Sequence, residues 1–210
     1  MHDAKLIWIT PDAEQLIGKI ARVSNPNNED NPNVEGLLKY LIKHKHWSPF
    51  EMASMCVEIH TTRAISPQIL RHRSFSFQEF SQRYAIPTDT FATVFPELRR
   101  QDKKNRQNST DDLPEETLEY YQDKIEEHFR QGVTLYESLI HSDVAKECAR
   151  SVLPINTVTR LYMSGTLRSW LHYVDLRGDN GTQKEHMQIA KSVGEILTEQ
   201  VPTIARAMWD

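Results

Sequence analysis

From Arg71 to Tyr84 the chain reads Arg-His-Arg-Ser-Phe-Ser-Phe-Gln-Glu-Phe-Ser-Gln-Arg-Tyr, placing three guanidiniums, an imidazole, a carboxylate and several hydroxyls in fourteen residues. The chain as a whole carries a formal charge of −4, so this is a local anion site in an acidic background. A guanidinium is a planar fork of donors that takes phosphate oxygens two at a time, and a cluster of them suits a phosphorylated ligand. No GxxxxGK[ST] sequence is present, so side chains rather than a glycine-rich backbone cradle would hold the phosphate. On composition alone the alternative is a solvated basic loop whose charges pair with Glu79 and Asp89.

A second basic series, Arg150, Arg160, Arg168 and Arg177, lies among Trp170, His172 and Tyr173. Arg168 and His172 are four apart and share one face of a helix, whereas Arg160 reads as ordinary surface charge. Arg177 sits at a helix end beside a turn containing Gly178 and Gly181, a position where function concentrates. Metal catalysis fits poorly: the nine histidines form no HExxH, and Glu185-His186 lacks a second ligand at helical spacing. Cys56 and Cys148 form no CxxC pair and read as free, buried thiols rather than nucleophiles or a disulfide scaffold. Ser81 could act as a nucleophile only with a base and an oxyanion site, and the sequence shows neither.

These residues need a frame. A chain of 210 residues with 39% hydrophobic and 26% charged residues can bury a substantial core, and the length suits one domain, 1–210. The acidic balance argues against a general nucleic-acid binder, no apolar run reaches the ~20 residues of a membrane span, and the first residues lack a signal-peptide pattern. A cytoplasmic location is the expectation.

Apolar periodicity predicts a strand over 5–10, a helix from a Thr10-Pro11 cap to about Val23, and a second helix from an Asn31-Pro32 cap to His44. Met55, Val57 and Ile59 alternate with polar residues, as in a half-buried strand, and a short helix follows with its cap at Thr62 or Ser66. Residues 99–116 are almost wholly polar and read as a mobile loop or an exposed helix start. A long amphipathic helix over 118–139 follows, then one capped by Asp143, a strand at 157–162 broken by Gly165, a helix over 167–176, and a last helix over 183–200 that stops at Pro202. The class is α+β.

The segment Arg71-His72-Arg73-x-x-Ser76-x-x-x-x-Ser81-x-Arg83 resembles the signature of the flavin-dependent thymidylate synthases. His46-Trp47-Ser48-Pro49-Phe50-Glu51, Arg150-Ser151-Val152-Leu153-Pro154, Leu167-Arg168-Ser169-Trp170 through Leu176-Arg177, and Gln183-Lys184-Glu185-His186 resemble the family's other blocks, in order. Ordered blocks over most of the chain are far more specific than one motif.

The resemblance implies a single domain with long helices packed on a small, mainly antiparallel sheet, and reductive methylation of dUMP to dTMP. Methylenetetrahydrofolate would give the carbon, and NADPH, through FAD, the reducing equivalents. Gln68, Arg71, Glu79, Ser81, Gln82, Arg83, Arg150 and Arg177 would surround dUMP, with Arg177 at the uracil as the catalytic residue. There a fixed cation favours the N3-deprotonated, more reactive ring. Ser48, Arg71, His72, Arg73, Glu79, Thr166, Arg168 and His172 would hold FAD, some of them from neighbouring subunits of a homotetramer, with His46 on the folate side. Gln78, Thr166 and His172 stand where relatives often have Asn, and each can still hydrogen-bond. A nucleotide- or RNA-binding module without catalysis is the competing expectation.

Overall fold

The computed structural model describes residues 1–86, 94–179 and 181–209. In chain order the elements are β1 (Asp3–Ile9), α1 (Ala13–Ala21), α2 (Glu35–Lys43), β2 (Ser54–Thr62), α3 (Ser66–Ile69), β3 (Ser76–Glu79), β4 (Arg100–Gln101) and β5 (Ser109–Thr110). Then come α4 (Glu115–His141), α5 (Lys146–Ala149), β6 (Val158–Thr166), α6 (Leu167–Arg177), α7 (Lys184–Gln200) and α8 (Pro202–Trp209). This is the expected α+β class. Four strands form one antiparallel sheet in the order β1-β2-β6-β3, and β4 and β5 make a separate small hairpin.

The sheet is assembled around β2 and β6, which pair along their whole length from Ser54↔Thr166 to Thr62↔Val158. Alternation predicts a half-buried β2, but its central place between β1 and β6 also shields Cys56, Thr61 and Thr62, so six of its nine residues are buried. Apolar stripes of α1, α2, α6, α7 and α8 close on the sheet: Ile17, Leu38, Trp170, Val193 and Ile204 are fully buried with Val57 and Ile59 in one cluster. Burying such side chains contributes roughly 1.5–3 kcal/mol each. Trp170 also donates its indole Nε1–H to the Met55 carbonyl at 2.9 Å, tying α6 to β2. Helix α4 stands apart: of its 27 residues only Phe129 and Tyr136 are buried. No helix among the described residues is long and apolar enough to cross a membrane.

Several boundaries differ from the sequence expectation, each for a local reason. Thr10 does not cap α1; its hydroxyl donates to the Ser54 carbonyl and accepts from the Ser54 N–H, so it closes the end of the β1–β2 pair, and Asp12 takes the cap position. Helix α2 starts at Glu35 after Val34 rather than at Asn31-Pro32, because Arg22 draws the 31–33 stretch in by donating to the Asn31 and Asn33 carbonyls. Asp143 has a φ of 59° and α5 begins only after Ala145. Thr62 belongs to β2, which settles the start of α3 at Ser66. A new helix begins at Pro202, where a proline needs no N–H partner, so the chain continues as α8 instead of ending its helical run there.

Gly165 does not break β6. It pairs with Met55 inside the strand, and its missing side chain is used by Phe75: a Cβ at Gly165 would meet that ring at 2.5 Å. Residues 99–116 are neither loop alone nor a helix start alone. Arg99 bridges both Glu185 carboxylate oxygens at 2.9 and 3.0 Å, and Lys184 pairs with Glu97 and Asp111, so the hairpin is ion-paired to the start of α7.

Candidate functional site

The chain leaves β2, turns through α3, and reaches His72, whose N–H donates to the Ile69 carbonyl at 3.1 Å. Phe75 then returns its N–H to the His72 carbonyl at 3.2 Å, and Ser76 enters β3 against β6. The arginine segment is therefore a turn running into an edge strand, which hydrophobic periodicity over four residues could not reveal. Phe75 fixes its place by packing edge-on against Trp170 of α6, ring centroids 4.6 Å apart.

That packing brings the two basic series together. Arg177, the last residue of α6, donates its Nε–H to His72 Nε2 at 3.0 Å. His72 also stands edge-on to Tyr173, centroids 5.0 Å apart, and the Tyr173 hydroxyl lies 3.1 Å from His186 Nε2 on α7. Burial, then the Arg177 charge, pushes His72 down to about 4. Burial, Arg177 and His72 likewise take His186 down to about 4, and burial pushes the Tyr173 phenol well above its ordinary value. One guanidinium thus stands on a stack of neutral rings, and among the described residues it makes no ion pair that would compete with a ligand for it.

The remaining expected residues distribute around this point. Gln68 donates to the Gln183 side chain at 2.7 Å, linking α3 to the residue before α7. Arg71 and Arg73 are exposed and make no side-chain hydrogen bond or ion pair among the described residues. Glu79 is already engaged: it pairs with Arg63 at 2.9 Å and accepts from the Thr159 hydroxyl at 2.9 Å, so it does not neutralise Arg71, Arg73 or Arg83. Asp89, the other carboxylate considered for that role, lies outside the described residues. Gln82 is buried with its amide Nε2 unpartnered among the described residues, Ser81 Oγ accepts from the Arg83 backbone N–H at 3.4 Å, and Arg83 reaches Glu147 of α5 at 3.0 Å. That ion pair draws β3's end toward α5 and Arg150, the residue that follows it.

At the other end of α6, Thr166 caps the helix by accepting the Ser169 N–H, and Arg168 pairs with Glu51. Trp47 lies 5.4 Å from the exposed His172 ring, beside the turn that carries Ser48. His46 is exposed and its ring sits 6.0 Å from Tyr40 and 6.1 Å from His44, a small aromatic surface open to solvent. The C-terminal end of α6 therefore presents a cation, Arg177, and its middle an exposed ring, His172, beside Trp47.

Among the described residues there is no metal-binding cluster. Cys56 is buried and burial raises its thiol pKa, as a packed thiol requires, whereas Cys148 is exposed, contrary to the expectation of two buried thiols. Periodicity put a helix over 167–176 but could not say that Tyr173 points inward at His72. His186 was visible only as part of a polar block, and Arg63 and Thr159, which hold Glu79, gave no signal at all. The Arg99–Glu185 pair was hidden because its halves are 86 residues apart.

A family model described as thymidylate synthase complementing protein matches residues 5–203. A flavin-dependent thymidylate synthase of Synechocystis sp. is 53% identical over 195 residues, covering 93% of this chain and 89% of that protein. A probable flavin-dependent thymidylate synthase of Paramecium bursaria Chlorella virus 1 is 48% identical over 213 residues, covering 98% of each. The fold also matches a UMP/dUMP methylase of Streptomyces cacaoi, solved bound with 5-Br dUMP, at a TM-score of 0.85 over 99% of this chain and 94% of that one, with 23% identity. With nearly its whole length matched at about half identity, and with the signature turn hydrogen-bonded to Arg177 at the end of α6, the chain belongs to the family of flavin-dependent thymidylate synthases.

Proposed function

We propose that this protein is an enzyme converting dUMP to dTMP, with methylenetetrahydrofolate as carbon donor, NADPH as reductant and FAD as cofactor. The observation that carries the reading is the Arg177–His72 hydrogen bond, which joins the Arg71–Arg83 segment to the end of α6 and makes one site of two distant basic series. The names of the relatives and the nucleotide bound to the structural neighbour support the same substrate class.

The donor set fits a group bearing a pyrophosphate and a flat ring system. Arg71 and Arg73 are exposed forks uncommitted to any carboxylate of the described residues, and Trp47 with His172 offers aromatic faces beside the middle of α6. Ser48, His72, Glu79, Thr166 and Arg168 complete the proposed FAD set, though Thr166 and Arg168 already hold a helix cap and Glu51 and would act with one bond in use. The flavin, when bound, supplies the hydride chemistry. His46, with Tyr40 and His44, gives the folate side a ring surface on which a pterin can stack.

Toward dUMP, the chain's own residues do three things. Arg71 and Arg150 offer forks to the phosphate, Arg83 would exchange its exposed pair with Glu147 for it, and the buried Gln82 amide, unpartnered among the described residues, offers a further donor. Glu79, held by Arg63 and Thr159, Ser81 and Gln68 orient the nucleotide. Arg177 faces the pyrimidine and stabilises its N3 anion, which strengthens the ring as a carbon nucleophile. No side chain need attack C6, in keeping with a buried Cys56 and a Ser81 that contacts no base among the described residues.

The proposal extends to one domain over 1–210, a cytoplasmic location and a homotetramer with sites at subunit junctions. The long α4, which leaves Tyr120, Tyr121 and Leu135 exposed, supports association. Purified protein should be yellow, should bleach with NADPH under anaerobic conditions, and should form dTMP only when folate and dUMP are both present. A protein that takes up no added FAD would end this reading, and light scattering at monomer mass would end the tetramer.

A further inference from the structure

We propose that His186 is a positioning residue for Arg177, acting through Tyr173 and His72 to hold the free edge of the guanidinium in one orientation. The proposal rests on the reading in which Arg177 faces the pyrimidine.

His186 is fully buried, and its Nδ1 has no hydrogen-bond partner among the described residues. Leaving a buried polar atom unmet costs about 1–3 kcal/mol. A core that keeps an imidazole there breaks a local packing rule, and such breaks concentrate at functional sites. The partner that His186 does have is specific. Its Nε2 lies 3.1 Å from the Tyr173 hydroxyl, and Tyr173 is the residue one helical turn before Arg177.

The position of the His72 proton follows from the geometry. His72 Nε2 accepts from Arg177, so it carries no proton and His72 is the Nδ1–H tautomer. The Tyr173 hydroxyl and His186 Nε2 share one hydrogen bond in either His186 tautomer, since a phenol can donate to a bare nitrogen or accept from an N–H. Tyr173 is then held by that hydrogen bond, by Trp170 edge-on at 5.7 Å and by His72 edge-on at 5.0 Å. Removing the His186 bond frees the phenol to turn, and His72 loses the wall that sets its ring plane. The depressed pKa values of both histidines keep this stack uncharged near neutrality.

The test uses the FAD-loaded enzyme carrying His186→Leu, His186→Gln or Tyr173→Phe. For His186→Leu the flavin content should match that of the wild type, the KM for dUMP should stay within about 3-fold, and kcat should fall roughly 10–100-fold. Tyr173→Phe should lose as much, the double variant no more than either, and His186→Gln, whose amide can donate to the phenol, should recover most of the rate. Nitrogen-15 histidine NMR should show His72 as one tautomer in the wild type and as a mixture in His186→Leu. A kcat within twofold of wild type in His186→Leu and Tyr173→Phe overturns the proposal, as does a loss of rate that merely tracks loss of flavin. If His186→Leu does not fold, Tyr173→Phe decides alone. If the wild type makes no dTMP the proposed function fails, and the His72 tautomer still judges this linkage: an unchanged tautomer overturns it.

Discussion

Arg177 and His72 lie 105 residues apart in sequence and share a hydrogen bond of 3.0 Å, with the guanidinium as donor. The bond exists only while His72 Nε2 is bare, because a protonated imidazole has donors at both nitrogens and would face the cation with its own charge. The same charge that would meet the pyrimidine therefore also keeps His72 neutral, and the site's electrostatics depend on that pairing.

A first consequence is a stability that declines in mild acid. His72 and His186 are both held at about 4 in the folded protein, chiefly by burial, against an ordinary value of 6.5. Between those values the unfolded chain binds protons that the folded chain refuses, so the free energy of unfolding rises with pH across the window. The contribution is complete above about pH 6.5 and is lost as pH falls towards 4. Urea midpoints measured between these limits should fall with acidification, and His186→Leu should flatten the curve. An equally steep curve in that variant would remove His186 from the explanation.

Replacing Arg177 by Ala should lower turnover roughly 10²–10³-fold while leaving most of the flavin bound, because its proposed partner is the pyrimidine and not the cofactor. Losing the charge also lifts one of the two causes that depress His72, so the His72 pKa should rise in the variant. Flavin stoichiometry, dTMP formation and a histidine titration by NMR measure the three effects. Equal loss of flavin and turnover would move Arg177 to the cofactor's side of the site.

Ser81→Ala should retain activity. The hydroxyl accepts only a long bond from the Arg83 N–H, 3.4 Å, and an interaction of that kind is worth about 0.5–1.5 kcal/mol. The expected result is a KM for dUMP raised by roughly 2- to 10-fold with kcat little changed. Complete loss of turnover with dUMP and FAD still bound would restore Ser81 as a nucleophile.

The sequence displayed the chemistry better than the frame that holds it. Arg71, His72, Arg73 and Arg177 were legible because their types and order are distinctive, and α4 and α7 because long amphipathic helices repeat their apolar residues many times. Strand β3 was not, since four residues give no reliable period, and it exists because β6 offers it an unpaired edge. The caps at Thr10 and Asn31 misled for a related reason: a hydroxyl or a proline offers a local solution, and tertiary partners at Ser54 and Arg22 outbid it. The links Arg99–Glu185 and Tyr173–His186 were invisible because a long-range polar pair leaves no mark on local pattern.

Gly165 shows the same limit and yields the last prediction. Read locally, a glycine after an apolar run ends a strand; in the fold it lies within β6 and leaves room for Phe75. In Gly165→Ala the new Cβ would stand 2.5 and 2.8 Å from two ring carbons of Phe75. That ring is no flexible tip: Trp170 holds it at 4.6 Å and Phe77 at 6.3 Å, so the strain must pass into the backbone that carries His72. Overpacking of this kind costs about 1–3 kcal/mol, or roughly 2–4 °C of thermal midpoint per kcal/mol in a protein of this size. Turnover should fall further than stability alone explains, because Phe75 bonds back to the His72 carbonyl at 3.2 Å. Combining Gly165→Ala with Phe75→Leu should cost less than the sum of the two, since the smaller side chain gives the methyl its space. Strict additivity in that cycle would mean that the ring is not what the glycine accommodates.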